Sequence, residues 1–268
     1  MKFPYTIKLY MMIVENTKPR RGRLHMDYAL FIVIGALTSF VGTLAGGGGL
    51  IGMPVLLLTG VPVHQAIAAA KFSNMISSFS SFFVLLGEGK IGWKQTAFIV
   101  PISLGGGITG GLLASSLPEK TMTAIAIALL TFALSLQFFR KKMTQQRSAV
   151  FSKKLYAPLY GISVYDGMFG PGQATLLMYT YLSTGLDYLS AIAFTRFQTF
   201  ISCFGAFATY LYAGHVNWHI APFLGLGSVI GAQVSVRLAQ KLKQEHLSLI
   251  LNIVTFLLII QLVFKMIG

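Results

Sequence analysis

Residues 42–54 read GTLAGGGGLIGMP, which places four consecutive glycines inside an apolar stretch. The apolar segment that follows, 50–59, covers only about 15 Å as a helix, half the thickness of a bilayer core. Lipid cannot hydrogen-bond an unwound backbone, so such a backbone survives at membrane depth only where protein or a wet cavity surrounds it. If the chain spans a membrane, the run therefore predicts a broken or re-entrant helix.

A second explanation for glycines in such a stretch is close packing, in which small residues four apart let two helix backbones approach. The pairs Gly106/Gly110 and Gly227/Gly231 have that spacing and predict such contacts. Four glycines in a row exceed what packing needs, so we favour a functional break at residues 46–49.

The composition is that of an integral membrane protein. Of the 268 residues, 54% are hydrophobic and 10% are charged, and the mean hydropathy is +0.70. A soluble domain carries roughly 25% charged residues, so this chain has too few charges to cover a water-exposed surface. The class of soluble enzymes is thereby excluded. At about 20 apolar residues per spanning helix, the chain has room for at most about ten crossings.

The net charge of +14 arises from 21 Lys and Arg against 7 Asp and Glu. More than half of the basic residues lie in two segments, the N-terminal tail 1–26 and the loop 140–154. Basic clusters between apolar segments follow the positive-inside rule and are not the footprint of a nucleic-acid surface. We expect the chain to contact membrane lipid and to bind no nucleic acid.

The sequence aligns with itself, without a gap, when it is shifted by 125 positions. The register holds over 65 positions, from residues 42–106 to residues 167–231. A register kept over that length indicates an internal repeat. We therefore predict an all-α integral membrane protein of two tandem repeats, 27–139 and 155–268, each with a Gly-rich broken or re-entrant segment. The matched pairs include Gly42/Gly167, Gly47/Gly172, Met53/Met178, Gly60/Gly185, Phe72/Phe197, Ser77/Ser202, Trp93/Trp218 and Gly106/Gly231.

The longest apolar segment of each repeat carries a cation and a polar face. At 100° per residue, Lys71, Asn74 and Ser78 fall on one side of the first of these helices. Arg196 and Thr199 occupy the equivalent side in the second repeat. Exposure of this polar half to lipid would be energetically unfavourable, so we expect it to line a cavity or to contact the other repeat.

Lys71 and Arg196 are equivalent in the repeat register, and a cation near mid-bilayer costs about 2.5–3.5 kcal/mol on insertion scales. Asp166 is the one carboxylate deep inside an apolar segment, directly before the second Gly-rich run. Two cations and one carboxylate leave a positive site, which favours an anion held by both cations. In the alternative interpretation, one cation pairs with Asp166 and the other extends to the membrane interface.

The predicted breaks also provide backbone donors. Helices that begin near Leu50 and Ala174 would direct free N–H groups and positive dipole ends at the breaks. With the two cations they would form an anion cradle that requires no metal or cofactor. No catalytic constellation is present in the sequence, so we do not expect an enzyme. The predicted substrate-binding residues are Lys71, Arg196, Asn74, Ser78, Thr199, Gly47, Gly48, Gly49, Gly172 and Gln173, and the predicted coupling residue is Asp166.

The run at 42–54, followed by LLLTGVP at 56–62, resembles the TauE/SafE family of sulfite and organosulfonate exporters. In the second half, DGMFGPG at 166–172 and the end from Gly214 to Trp218 resemble the second repeat of that family. The resemblance covers about residues 27–268 and leaves the tail out.

This resemblance implies a multi-pass protein of the cell inner membrane. It also implies a secondary active transporter that exports a small sulfur-containing anion, such as sulfite or an organosulfonate, by proton coupling. The alternative function is a passive anion channel, since the same cradle could conduct. The second repeat departs from the Gly-rich pattern at Gln173 and Ala174, so the two cradles need not be equivalent. The expected partner is a small inorganic or organic anion, and the sequence leaves open whether the chain forms a homo-oligomer.

The two basic segments, 1–26 and 140–154, predict the topology. Both should be cytoplasmic, which requires an even number of crossings in the first repeat, about four, and makes the repeats parallel. In intact cells, an Arg147→Cys variant should therefore resist a membrane-impermeant maleimide until the membrane is permeabilised. Labelling from the periplasmic side would instead mean an odd count and inverted repeats, an arrangement common in transporters.

Overall fold

The computed structural model describes residues 21–46, 48–87, 96–138 and 155–239, and the all-α class is confirmed for this part of the chain. Gly47, the basic loop 140–154 and the last predicted apolar segment, 247–267, lie outside the described residues. The helices are α1 (Arg21–Ala45), α2 (Gly48–Leu58), α3 (Val63–Gly87), α4 (Ile99–Ser115), α5 (Glu119–Phe138), α6 (Tyr156–Met168), α7 (Gln173–Ser183), α8 (Tyr188–Tyr212) and α9 (Ala221–Ala239).

Three of the described helices, α3, α8 and α9, are long and apolar enough to cross a membrane. Shorter apolar helical stretches are Tyr28–Leu44 within α1, the whole of α2 and the whole of α4. Because α1 begins at Arg21, helical structure reaches into the segment 1–26 that was assigned to the tail. The described part of the chain thus has the long apolar helices expected of a membrane protein.

A short helix followed by a long one occurs in each half of the chain. The short helices α2 and α7 have 11 residues each, and the long helices α3 and α8 have 25 each. The bounds of both pairs differ by the same offset, since 48 + 125 = 173 and 63 + 125 = 188. Gly60 and Gly185, at φ +82° and +94°, end the turn after the short helix in both halves. The two halves therefore place equivalent residues on equivalent helices.

The halves are interleaved in space. The most extensive contacts join α1 to α9 and α4 to α6, so the first helix of each half packs against a helix of the other half. The long helices α3 and α8 pack against each other between these pairs. Residues that face one another across α3 and α8 consequently come from different halves of the chain.

Glycines allow the helix backbones to approach this closely. A Cβ atom on Gly110 would stand 2.0 Å from the carbonyl oxygen of Val164 on α6. A Cβ on Gly227 would stand 1.9 Å from the carbonyl oxygen of Ile32 on α1. The close-packing role that the sequence predicts for these glycines is confirmed. It extends to their partners Gly106 and Gly231.

We expect Gly110→Ala to lower the thermal unfolding temperature of the purified protein in detergent. The added methyl group must push α4 away from α6, and overpacking of this kind costs about 1–3 kcal/mol. Gly161→Ala is the matched control, because no atom lies within 4 Å of a Cβ at that helical position. If both variants unfold at the same temperature, the close approach at Gly110 does not contribute to stability.

Candidate functional site

The two Gly-rich breaks contact each other at the starts of α2 and α7. A Cβ on Gly46 would lie 2.6 Å from the backbone nitrogen of Thr175. A Cβ on Gly49 would lie 2.9 Å from the Cα atom of Pro171. Only residues without a side chain fit at such distances. The N-terminal ends of the two short helices therefore lie side by side, although they are far apart in the sequence.

Side-chain donors satisfy the backbone carbonyls of the second break. The hydroxyl of Tyr165 donates to the carbonyl of Pro171, and the hydroxyl of Tyr210 donates to the carbonyl of Met168 at 3.3 Å. A buried carbonyl without a partner would cost about as much as a lost hydrogen bond. These bonds satisfy carbonyl groups of an unwound backbone that lipid could not hydrogen-bond.

Lys71 and Asp166 form a buried ion pair at this break. Nζ of Lys71 lies 2.8 Å from Oδ1 of Asp166 and also donates to the Asp166 backbone carbonyl, and each side chain is 1% exposed. The second carboxylate oxygen accepts from the hydroxyl of Ser202 and from Sγ of Cys203, the latter at 3.4 Å. A Cβ on Gly170 would come within 2.6 Å of Nζ, so only glycine fits there. The premise that both cations remain available to an anion does not hold for Lys71, because Asp166 neutralises it.

Arg196 is buried without an acidic partner among the residues that the structure describes. It is 4% exposed, and its Nε and Nη2 atoms donate to the hydroxyls of Ser81 at 2.7 Å and Ser77 at 3.1 Å on α3. The alternative interpretation is thus correct for the pairing of Lys71 with Asp166. It fails for Arg196, which stays between α8 and α3 instead of extending to the surface.

Five other predicted residues have defined positions. Gln173, at the start of α7, donates through Nε2 to the hydroxyl of Thr199 on α8 at 2.9 Å, so the fold brings this pair together. Gly172 precedes α7 with φ +85°, a conformation that favours glycine. Ser78 is fully buried, and its hydroxyl has no hydrogen-bond partner within the described ranges. Gly48 allows α2 to pack closely against α1, because a Cβ at position 48 would lie 2.0 Å from the backbone oxygen of Thr38.

A crevice opens beside the breaks, with about 410 Å³ of empty space including its mouth. Gly49 and Asn74, both predicted site residues, line it together with Gly170. So does Thr38 of α1, whose hydroxyl is buried and has no partner in the described part of the chain. Thr38 is not among the residues predicted from the sequence, although a threonine about two helical turns before the glycines at 46–49 was a usable signal.

Replacing Lys71 with Met should lower the free energy of unfolding by about 3–5 kcal/mol, because Asp166 is left as an unpaired buried charge. The double variant Lys71→Met/Asp166→Asn should lose less than the sum of the two single losses, since both charges are gone. Thermal unfolding in detergent measures all three variants. Lys120→Met, at an exposed position, is the control and should change little. Strictly additive losses would show that the two groups do not interact.

Comparison with known proteins identifies a family and several relatives. The family described as sulfite exporter TauE/SafE matches residues 31–262. The probable membrane transporter protein ORF9 of Sinorhizobium sp is 32% identical over 242 residues, which cover 87% of this chain and 91% of that protein. A probable membrane transporter protein of Haemophilus influenzae is 26% identical over 88% of this chain and 94% of its own length. In Escherichia coli, the probable membrane transporter protein YfcA is 22% identical, with coverage of 88% and 89%.

No solved structure matches the chain significantly. The family match spans most of the sequence, and the relatives align over nearly their whole lengths, so the likeness is not confined to one segment. The matched range contains both Gly-rich breaks and the positions of Lys71, Asp166 and Arg196. The chain belongs to the TauE/SafE sulfite exporter family of membrane transporters.

Proposed function

We propose that this chain is a secondary active transporter that exports a small sulfur-containing anion, such as sulfite or an organosulfonate, across the inner membrane with proton coupling. The observation that carries the proposal is the buried guanidinium of Arg196, which has no acidic partner among the described residues. The family description supplies the class of substrate.

The balance of buried charge favours an anionic substrate. Lys71 is neutralised by Asp166, whereas Arg196 is held only by neutral hydroxyls in the described structure. A buried charge without a counter-ion is strongly unfavourable, and neutral hydroxyl groups offset only part of that cost. A bound anion would supply the missing charge.

We further propose that residues 27–139 and 155–268 are repeats of one multi-pass unit, and that α2 and α7 are re-entrant. Each of these helices has 11 residues and spans about 16 Å, too little to cross a bilayer core. Their N-terminal ends meet, so the positive dipole ends of the two helices add to the attraction for an anion. Paired interrupted helices in corresponding positions of two repeats are typical of transporter substrate sites.

Asp166 is our proposed coupling residue. Its carboxylate holds Lys71, Ser202 and Cys203 at the second break. A proton on Asp166 would remove the negative charge from the ion pair and weaken the link between α6 and α3. Proton uptake and release at this residue would thus change the packing at the site where the two breaks meet.

Two measurements test the transporter. Purified protein should bind at least one anion from a panel of sulfite, thiosulfate, sulfate, alkanesulfonates and carboxylates in calorimetry. In proteoliposomes, flux of that anion should saturate with concentration and respond to an imposed pH gradient. Non-saturating flux with large unitary currents would instead indicate the passive anion channel, and an absence of binding and flux would contradict both functions.

An Asp166→Asn variant should lose most of its pH-gradient-driven flux, at least tenfold, while its anion affinity changes less. The reason is that the amide keeps the size of the side chain but cannot exchange a proton. Asp187→Asn is the matched control, because Asp187 caps α8 and Asn caps equally well. Normal flux of a well-folded Asp166→Asn variant under every gradient would leave Asp166 a purely structural role.

A further inference from the structure

The carboxylate of Asp166 is surrounded by donors that recur in the other half of the chain. It receives Lys71 of α3 on one oxygen, and Ser202 and Cys203 of α8 on the other. These contacts show how this fold holds a buried anionic group with two oxygens on one centre. We call these four residues the Asp166 cluster.

The 125-residue register identifies the counterpart of each member. The cation Lys71 corresponds to Arg196, since 71 + 125 = 196. The two donors of α8 correspond to Ser77 and Ser78 of α3, since 202 − 125 = 77 and 203 − 125 = 78. The acid itself corresponds to Val41, since 166 − 125 = 41. The donors are therefore present twice in the chain, but the carboxylate is present once.

Two of these counterparts are in contact, and the hydroxyl of a third has no partner among the described residues. Arg196 donates to Ser77 at 3.1 Å, so the cation and the first hydroxyl are in contact. Ser78, next in the chain, is fully buried with no partner for its hydroxyl among the described residues. Val41 is 7% exposed and belongs to the same apolar cluster as Phe197, which follows Arg196.

We propose that a small oxyanion binds between Arg196, Ser77 and Ser78, with two of its oxygens in the role that the carboxylate of Asp166 has in the other half. Arg196 can donate to both oxygens at once, a geometry that suits sulfite, sulfonate or carboxylate groups. A halide ion is a single atom, so it cannot offer two acceptor oxygens as a carboxylate does. Lys71 is then the partner of Asp166 and not a ligand of the substrate. This proposal rests on the proposed function, in that it names the site of the transported anion.

The test restores the missing carboxylate. A Val41→Asp variant should carry its own anion at the site, neutralise Arg196 and lower the affinity for sulfite and methanesulfonate at least tenfold in calorimetry on the full-length protein. Val41→Asn has the same size without the charge and should lower the affinity less. Wild-type affinity in a well-folded Val41→Asp variant would overturn the proposal.

A second readout does not depend on any ligand. Val41→Asp should unfold at a higher temperature than Val41→Asn, because only the aspartate pairs with Arg196. That difference should vanish when Arg196→Gln is added to both variants. If it persists, the introduced carboxylate does not meet Arg196, and the proposal fails.

A third measurement tests how much Arg196 contributes to the affinity of the protein for sulfite. Arg196→Gln should weaken binding of sulfite about ten- to a hundredfold, the range expected for a charged hydrogen bond. Arg237→Gln, at an exposed position of α9, is the matched control and should bind as the wild type does. If the wild type binds an oxyanion with an affinity that Arg196→Gln leaves unchanged, this site fails and the proposed transport function stands; if the wild type binds no oxyanion, both fail.

Discussion

An ion pair at a broken helix organises this protein. The backbone between α6 and α7 is unwound, and Lys71 donates both to the side chain and to the backbone carbonyl of Asp166 where that break begins. Chain of this kind is tolerated at membrane depth only when protein groups replace the missing helical hydrogen bonds. The first break follows the same rule, since Tyr188 donates to the carbonyl of Leu44. Each break is thus held by a side chain from a long helix.

The two halves of the fold differ in the size of the side chains at corresponding positions. Near the first break, small residues such as Gly49 and Asn74 leave an open crevice. In the second half, Gln198 occupies the register position of Ser73, since 198 − 125 = 73, and its amide donates to Ser163 at 2.9 Å while it accepts from Tyr181 at 2.5 Å. Gln198 and Tyr181 are larger than Ser73 and Leu56, their counterparts in the 125-residue register, which both line the crevice of the first half. The crevice therefore lies in the first half, and hydrogen-bonded side chains occupy the corresponding positions of the second half.

Several features of the fold and the site could be read from the sequence because they follow from composition and spacing. Helical class, the short helices after the glycine runs and the burial of Lys71 and Arg196 need only hydropathy, helix length and the 125-residue register. The close approach at Gly110 follows from small residues spaced four apart. The partners of the cations were not readable in this way. Asp166 lies 95 positions from Lys71, and its pairing with Lys71 instead of Arg196 depends on how α6 packs against α3 and α8.

The sequence by itself determined that this chain is an apolar, helical protein with a repeated pattern, two glycine-rich breaks and more buried cations than buried acids. These properties are local or periodic, so the order of residues along the chain is enough to determine them. Only the tertiary structure decided which cation is neutralised, because that depends on the interleaving of α1 with α9 and α4 with α6. This packing brings Asp166 to Lys71 and leaves Arg196 among serine hydroxyls. Distances across a helix interface are set by packing, and spacing along the chain does not encode them.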